Sequence, residues 1–153
     1  VEVIETMTRI IESVEDSPLI KVPISQPQIK NSRYITKSIC YHAAQMADTI
    51  NAKAITTLTN SGYTAFQISA WRPKSHILVF TSNRRILTQL NLLWGVRAFF
   101  YDKLVSTDDT IDDINKICVD KAYVNKGDML INLAAMPVVD KGMVNTLRVS
   151  EIE

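Results

Sequence analysis

The stretch of sequence that decides the fold reads Ala54-Ile55-Thr56-Thr57-Leu58-Thr59-Asn60-Ser61-Gly62-Tyr63-Thr64-Ala65-Phe66. An apolar, β-branched segment passes into a short loop of hydroxyl side chains and one glycine, and a helical pattern begins directly after the loop. A loop that joins a strand to a helix N-terminus offers an anion unpaired backbone N–H groups, hydroxyl donors and the positive end of the helix dipole. A glycine there lets the backbone approach a ligand closely. We therefore predict a phosphate-binding loop at Thr59, Asn60, Ser61, Gly62, Tyr63 and Thr64.

The same run has a second interpretation that needs no ligand. An ordinary strand-to-helix turn would also place Ser61 and Thr64 where their hydroxyls cap the helix. No lysine follows Gly62, as one does in a Walker phosphate loop. The pattern by itself therefore leaves both interpretations open.

The composition indicates one soluble globular domain. The chain has 153 residues, of which 46% are hydrophobic and 22% are charged, and its formal net charge of +1 gives no electrostatic basis for binding nucleic acid or a membrane surface. No apolar run reaches membrane-spanning length, and no signal peptide opens the sequence. Cys40 and Cys118 lie within helical patterns, so we expect small core residues in a reducing compartment rather than a disulfide or a catalytic thiol.

The N-terminal part differs in character from the rest of the chain. Apolar residues recur at helical spacing from Val1 to Val14 with no cap and no leader before them, which favours a piece of a longer protein. Three prolines follow, at Pro18, Pro23 and Pro27, and favour an extended linker. We therefore divide the chain into a terminal helix at 1–17, a linker at 18–30 and a domain at 31–153.

Strands and helices alternate through the domain. A helix that Asn31 or Ser32 can cap comes first, and Asn83 and Ser106 are predicted to cap two later helices. Alternation predicts parallel pairing through right-handed crossovers, whereas the last connection has no helix and predicts an antiparallel final strand. The expected fold is α/β, a three-layer α/β/α sandwich with a five-stranded mixed sheet of order 3-2-1-4-5. Its strands are predicted at 54–59, 76–81, 96–101, 129–134 and 146–150, with helices at 63–71 and 83–95 among those between them.

This strand order creates a switch point between the first and the fourth strand. The loops at 59–64 and 134–145 flank it. Open α/β sheets bind their ligands in the crevice at such a point. The position favours the ligand-binding interpretation of the hydroxyl loop.

Other chemically capable side chains favour structural roles. His42 and His76 have no second histidine or cysteine at ligand spacing, so no metal site is predicted. The acidic group at 108–113 lies in the first turns of a helix, where the dipole and solvent stabilise it. Arg84 and Arg85 are predicted to form a solvated helix face. No catalytic centre is recognisable.

Several short motifs, taken in order, resemble the C-terminal domain of pyruvate kinase over residues 39–149. The segment from Asn51 to Ala65 resembles that family's first strand and its Thr-x-Ser-Gly-x-Thr/Ser-Ala effector loop. The segment from Val1 to Val14 is similar to the last helix of the family's catalytic barrel. The further motifs are Trp71-Arg72-Pro73, Trp94-Gly95-Val96, Ser106-Thr107-Asp108, Lys126-Gly127-Asp128 and Asn145-Thr146-Leu147.

The resemblance implies a cytoplasmic glycolytic transferase that moves a phosphoryl group from phosphoenolpyruvate to ADP with the help of Mg²⁺ and K⁺. In that family the active site lies in a (β/α)8 barrel with a small lid domain, and this sequence contains neither. The chain would then carry no catalytic residue, no metal and no cofactor, and we expect it to be inactive alone. It resembles the regulatory domain through which the subunits of a homotetramer meet.

The resemblance also implies an effector site. In regulated members, sugar phosphates or nucleotides bind at the effector loop and at the loop after the fourth strand, which here contains Pro137, Lys141 and Gly142. Members that bind a sugar bisphosphate carry a lysine where this chain has Asn60, so we expect a sugar or nucleoside monophosphate, or no effector. The alternative is a stand-alone α/β module that binds a phosphorylated metabolite without a kinase partner.

Overall fold

The computed structural model describes residues 1–15, 17, 33–103, 106–137 and 142–153. The predicted linker at 18–30 and the predicted caps Asn31 and Ser32 lie outside these residues. The helices are α1 (Glu2–Glu15), α2 (Tyr34–Thr49), α3 (Tyr63–Ser69), α4 (Arg84–Leu90) and α5 (Thr107–Asp120). The strands are β1 (Ala54–Leu58), β2 (His76–Thr81), β3 (Val96–Phe100), β4 (Met129–Ala134) and β5 (Thr146–Glu151).

The strands form one five-stranded sheet of order β3-β2-β1-β4-β5. β1 pairs in parallel with both β2 and β4, and β2 pairs in parallel with β3. β4 and β5 are antiparallel, as expected for a connection in which the sequence predicts no helix. This topology confirms the predicted strand order and the predicted direction of every strand.

The parallel strands β1, β2 and β3 and the strand β4 send side chains into two apolar clusters, one on each face of the sheet. Ile55, Ile77 and Ile131 pack in the cluster that α2, α3 and α4 cover. Leu78 and Leu130 face the other way and pack with α5. Parallel strands buried on both faces need helices on both sides of the sheet. The predicted three-layer α/β/α sandwich is therefore confirmed.

The two cysteines lie on opposite sides of the sheet. Cys40 on α2 and Cys118 on α5 are buried and free. Desolvation by burial raises the pKa of each thiol to about 12. The reactive thiolate is suppressed at neutral pH, and both residues are core residues, as predicted.

Strand bounds follow the sequence prediction more closely than helix bounds do. β2 and β4 span the predicted residues, whereas α3 ends at Ser69 and α4 ends at Leu90, earlier than predicted. Arg72 has a positive φ of 45°, so the chain has left the helical conformation by that point. The side chain of Asn91 bridges the end of α4 and the strand β3. Its Nδ2 donates to Leu87 O at 3.1 Å, and its Oδ1 accepts from Ala98 N–H at 2.9 Å.

Two predicted helix caps are confirmed. Asn83 Oδ1 accepts a hydrogen bond from Arg85 N–H at 3.1 Å at the start of α4. Ser106 Oγ accepts one from Asp109 N–H at 3.2 Å at the start of α5, and it donates to the Asp109 carboxylate at 2.6 Å. These contacts between near neighbours in sequence fix the entry of each helix.

α1 is an amphipathic helix that contributes no buried side chain. Its contact with the domain includes a hydrogen bond in which Trp94 Nε1 donates to Glu15 Oε1 at 3.1 Å. The predicted helix is confirmed, whereas the division of the chain at 1–17 and 18–30 stays a prediction. Within the described ranges, every helix is too short or too polar to cross a membrane.

Candidate functional site

A cavity of about 430 Å³ lies at the ends of the parallel strands, at the predicted switch point. The loop after β1 lines one side, and Ser82 after β2 and Lys103 after β3 extend the wall. The loop after β4 and the start of α2 close it, through Val144 and Thr36. The Thr36 hydroxyl donates to Val144 O at 3.0 Å, so these two walls are joined directly.

The structure brings most of the predicted site residues to this cavity. Gly62 lies behind the wall against Leu90, and Pro137 is not among the described lining residues. Lys141 lies outside the described part of the chain. The predicted residues that line the cavity are Thr59, Asn60, Ser61, Tyr63, Thr64 and Gly142.

The loop after β1 is held by its own hydroxyls. Thr59 Oγ1 accepts from Gly62 N–H at 3.1 Å, and Ser61 Oγ accepts from Tyr63 N–H at 3.4 Å. Asn83 Nδ2 also donates to Asn60 O at 3.2 Å, which ties the loop to the start of α4. The Gly62 and Tyr63 N–H groups already have acceptors within the loop, whereas the accepting hydroxyls of Thr59 and Ser61 each keep a proton to donate.

The capping interpretation of this loop is not observed in the form predicted. Gly62, with φ of 79°, is the N-cap of α3, and it makes no side-chain cap hydrogen bond. Thr64 is buried within the first turn. Ser61 accepts from the first helical residue but does not occupy the cap position. The hydroxyls therefore shape the loop, and they are not standard caps of the helix.

Two cations in the cavity wall were missed at the sequence level. Arg33 comes from the start of α2, and its guanidinium lies over the Tyr63 ring, 4.5 Å from the ring centroid. Lys103 comes directly after β3. A signal for Lys103 existed, because every parallel strand delivers its following residues to the same edge of the sheet. Arg33 precedes the first strand, and no local pattern connects it with the loop after β1.

Lys103 is bound by a carboxylate of α5. Its Nζ lies 2.6 Å from Asp113 Oδ2, and the Tyr101 hydroxyl donates to the same oxygen at 3.3 Å. The hydrogen bond from Lys103 lowers the pKa of Asp113, and it raises the pKa of Lys103. Burial, followed by the charge of Asp113, raises the pKa of Tyr101. Asp102 adds a second carboxylate beside Lys103 in the wall.

The loop after β4 is clamped at both ends by one asparagine. Asn145 Oδ1 accepts from Met136 N–H at 2.8 Å, and its Nδ2 donates to Met136 O at 2.8 Å. This pair of hydrogen bonds brings the two ends of the loop together before β5 begins. Gly142 and Val144, which precede Asn145, line the cavity.

The other candidate side chains have structural surroundings. His42 packs edge-on against Tyr41 with ring centroids 5.0 Å apart, and His76 packs against Tyr123 at 5.7 Å. The described residues contain no group of three or more His, Cys, Asp or Glu side chains that could hold a metal ion. Arg84 is exposed on α4 and lies over the Phe100 ring at 3.8 Å.

Comparison with known proteins identifies the domain. The family model of the pyruvate kinase alpha/beta domain matches residues 37–150. A pyruvate kinase of Clostridium acetobutylicum is 28% identical over 153 residues, which cover 100% of this chain and 32% of the relative. One of Staphylococcus haemolyticus is 31% identical over 147 residues, which cover 96% of this chain and 25% of the relative.

A solved structure has the same fold. The crystal structure of a pyruvate kinase from Cryptosporidium parvum superposes with a TM-score of 0.71 and 21% identity, over 82% of this chain and 24% of that one. This chain thus spans about a third or less of the length of the relatives that it matches. Because the family match covers most of the chain and the sheet topology agrees, the chain belongs to the pyruvate kinase alpha/beta-domain family.

Proposed function

We propose that this chain is the C-terminal regulatory and subunit-contact domain of a pyruvate kinase, and that its cavity binds a phosphorylated effector at the 59–64 loop. The observation that carries the proposal is that the loop hydroxyls and the Arg33 guanidinium line one cavity at the switch point. Phosphoryl transfer from phosphoenolpyruvate to ADP, with Mg²⁺ and K⁺, would belong to the barrel and lid domains of the whole enzyme.

The loop chemistry supports a phosphate ligand. Thr59 and Ser61 use their oxygens to accept loop N–H groups, so each hydroxyl proton is left to donate to a phosphate oxygen. Arg33 lies at the same cavity, and its planar guanidinium suits the geometry of a phosphate. Hydroxyl donors beside a cation are a usual combination for binding a phosphate ester.

The charge of the cavity supports a single phosphate. Asn60 contributes no charge where bisphosphate-binding relatives are expected to have a lysine, and Asp102 places a carboxylate in the wall. Lys103 is already paired with Asp113. A sugar or nucleoside monophosphate would leave less negative charge without a partner than a bisphosphate would.

Removing two loop hydroxyls tests the proposal. We expect the double variant Ser61→Ala with Thr64→Ala to bind fructose monophosphate or a nucleoside monophosphate more than about tenfold more weakly, since each lost charge-assisted hydrogen bond contributes roughly 1.5–3 kcal/mol. Isothermal titration calorimetry measures the change. Thermal unfolding checks that the buried Thr64 position tolerates the substitution.

Thr49→Ala is the matched control, because Thr49 is an exposed hydroxyl on α2 that donates to Gln45 O. The Thr49→Ala variant should bind the monophosphate with the same affinity as the unaltered chain. If the double variant binds the monophosphate as tightly as the unaltered chain does, the phosphate site lies elsewhere. Binding of fructose bisphosphate much more tightly than any monophosphate would show that the interpretation of Asn60 is wrong.

A further inference from the structure

The ion pair of Lys103 joins the cavity to a helix that does not line it. Lys103 and Tyr101 line the cavity, whereas Asp113 belongs to α5 and is not among the lining residues. One oxygen, Asp113 Oδ2, accepts from both the Lys103 ammonium at 2.6 Å and the Tyr101 hydroxyl at 3.3 Å. The Lys103 side chain is 59% exposed and the Asp113 side chain 31% exposed, and of the two only Lys103 lines the cavity, so a ligand there can reach Lys103.

This arrangement sets up a competition for one cation. β2 separates β1 from β3 in the sheet, so the ends of those two strands lie roughly 10 Å apart. A phosphate at the 59–64 loop therefore leaves the part of the wall at Lys103 for the remainder of the ligand. A second phosphate at that wall would meet an ammonium that is already neutralised by Asp113, with Asp102 adding like charge to the phosphate beside it. A neutral sugar or nucleoside portion would not need the ammonium, so the ion pair would stay intact.

We propose that Asp113 is a positioning residue that sets the ligand class of the cavity: by holding the Lys103 ammonium it disfavours ligands with a second phosphate and leaves the site selective for phosphate monoesters with an uncharged remainder. The inference rests on the proposed function, since it concerns the same cavity. The lowered pKa of Asp113 agrees with it, because the carboxylate stays ionised throughout the neutral range.

The experiment compares two ligands that differ by one phosphate. Affinities of fructose monophosphate and fructose bisphosphate are measured by calorimetry for the chain and for Asp113→Asn, which keeps the size and one acceptor oxygen of the side chain. We expect Asp113→Asn to shift the ratio of the two affinities by about tenfold toward the bisphosphate, because the released ammonium becomes a charge-assisted donor. Affinity for the monophosphate should change little.

Three further variants separate this role from a structural one. Asp112→Asn removes a neighbouring exposed carboxylate of α5 and should leave the ratio unchanged. Asp113→Glu keeps the negative charge and should retain the preference for the monophosphate. Adding Lys103→Gln to Asp113→Asn should abolish the shift, since no ammonium is left to be released.

The outcomes distinguish the two proposals. The inference is supported if Asp113→Asn shifts the ratio of the two affinities toward the bisphosphate and if the double variant Asp113→Asn with Lys103→Gln shows no such shift. Monophosphate binding that depends on Ser61 and Thr64, together with an unchanged ratio in Asp113→Asn, overturns the inference and leaves the proposed function standing. If neither the chain nor Asp113→Asn binds either fructose phosphate, the proposed function and the inference are both overturned for sugar phosphates. An equal shift in Asp112→Asn would show a general charge effect and would also overturn the inference.

Discussion

At the scale of single residues, Gly62 is the position where the loop after β1 depends most on residue type. Its φ of +79° lies in the left-handed region that favours glycine, and a Cβ added there would lie 3.0 Å from Leu90 Cδ2. The same residue is the N-cap of α3 and donates its N–H to Thr59 Oγ1. The shape of the candidate site therefore depends on a residue that does not line the cavity.

Substituting Gly62 tests this dependence. We expect Gly62→Ala to lower the free energy of unfolding by roughly 1–2 kcal/mol, because an L-residue is strained at this φ and Leu90 must shift. Urea unfolding measures the loss. Gly142→Ala is the matched control, since nothing lies within 4 Å of a Cβ added there and its φ is not in the left-handed region. Equal losses in the two variants would contradict the argument.

At the scale of elements, β5 is one of the two edge strands of the sheet, the other being β3. Leu147 packs against the cluster under α2, and Arg148 points to the other face and pairs with Asp108 of α5 at 2.8 Å. Ile152 N–H donates inward to Asp128 O at 3.0 Å. Antiparallel hydrogen bonds alternate along a strand, so counting back from Ile152 places Val149 N–H on the outer side of β5. An outward row of N–H and C=O groups is a template for another strand.

Proline at position 149 tests whether that edge joins two copies. We expect the chain to form an antiparallel β5 pair across a two-fold axis, so Val149→Pro should shift it from dimer to monomer in sedimentation while the β4–β5 ladder stays intact. Val149→Thr retains the N–H donor and should stay dimeric. A chain that is already monomeric at high concentration would show that β5 does not suffice for association and that assembly requires other parts of the enzyme.

At the scale of the whole molecule, the described residues form an α/β layer structure, and the chain spans only a fraction of the length of its relatives. Both faces of the sheet are covered, with one apolar cluster under α2, α3 and α4 and another under α5. The chain spans 32% of the length of its Clostridium acetobutylicum relative. The length of the natural protein distinguishes a stand-alone binding module from a kinase domain, because a pyruvate kinase is about three times as long as this chain.

The isolated chain should not catalyse phosphoryl transfer. We expect no pyruvate to form from phosphoenolpyruvate and ADP in the presence of Mg²⁺ and K⁺, because the family match is to the alpha/beta domain and the chain spans 32% of the length of a pyruvate kinase relative. A coupled assay of the purified 153-residue chain measures this. A mock preparation gives the background, and turnover clearly above it would refute the prediction.

The amino-acid sequence alone determined the order and direction of the strands and the position of two helix caps. Alternating strand and helix patterns leave few topologies, because crossovers are right-handed and a missing helix forces an antiparallel return. Asn83 and Ser106 were predictable as caps, since each hydrogen bond joins residues two or three positions apart. The position of the hydroxyl loop at the switch point was also predictable, because the strand order fixes which edge of the sheet the loop after the first strand occupies.

Only the tertiary structure decided which charges meet that loop. Arg33 comes before the first strand, and nothing in the local sequence relates it to Thr59. Lys103 follows the third strand, so topology places it at the same edge of the sheet, but no local pattern shows which carboxylate pairs with it. The pairing of Lys103 with Asp113, and the use of loop amides by the loop's own hydroxyls, likewise depend on packed geometry. Local patterns encode contacts between neighbours along the chain, whereas the charge of a cavity is the sum of side chains that folding brings together from distant positions.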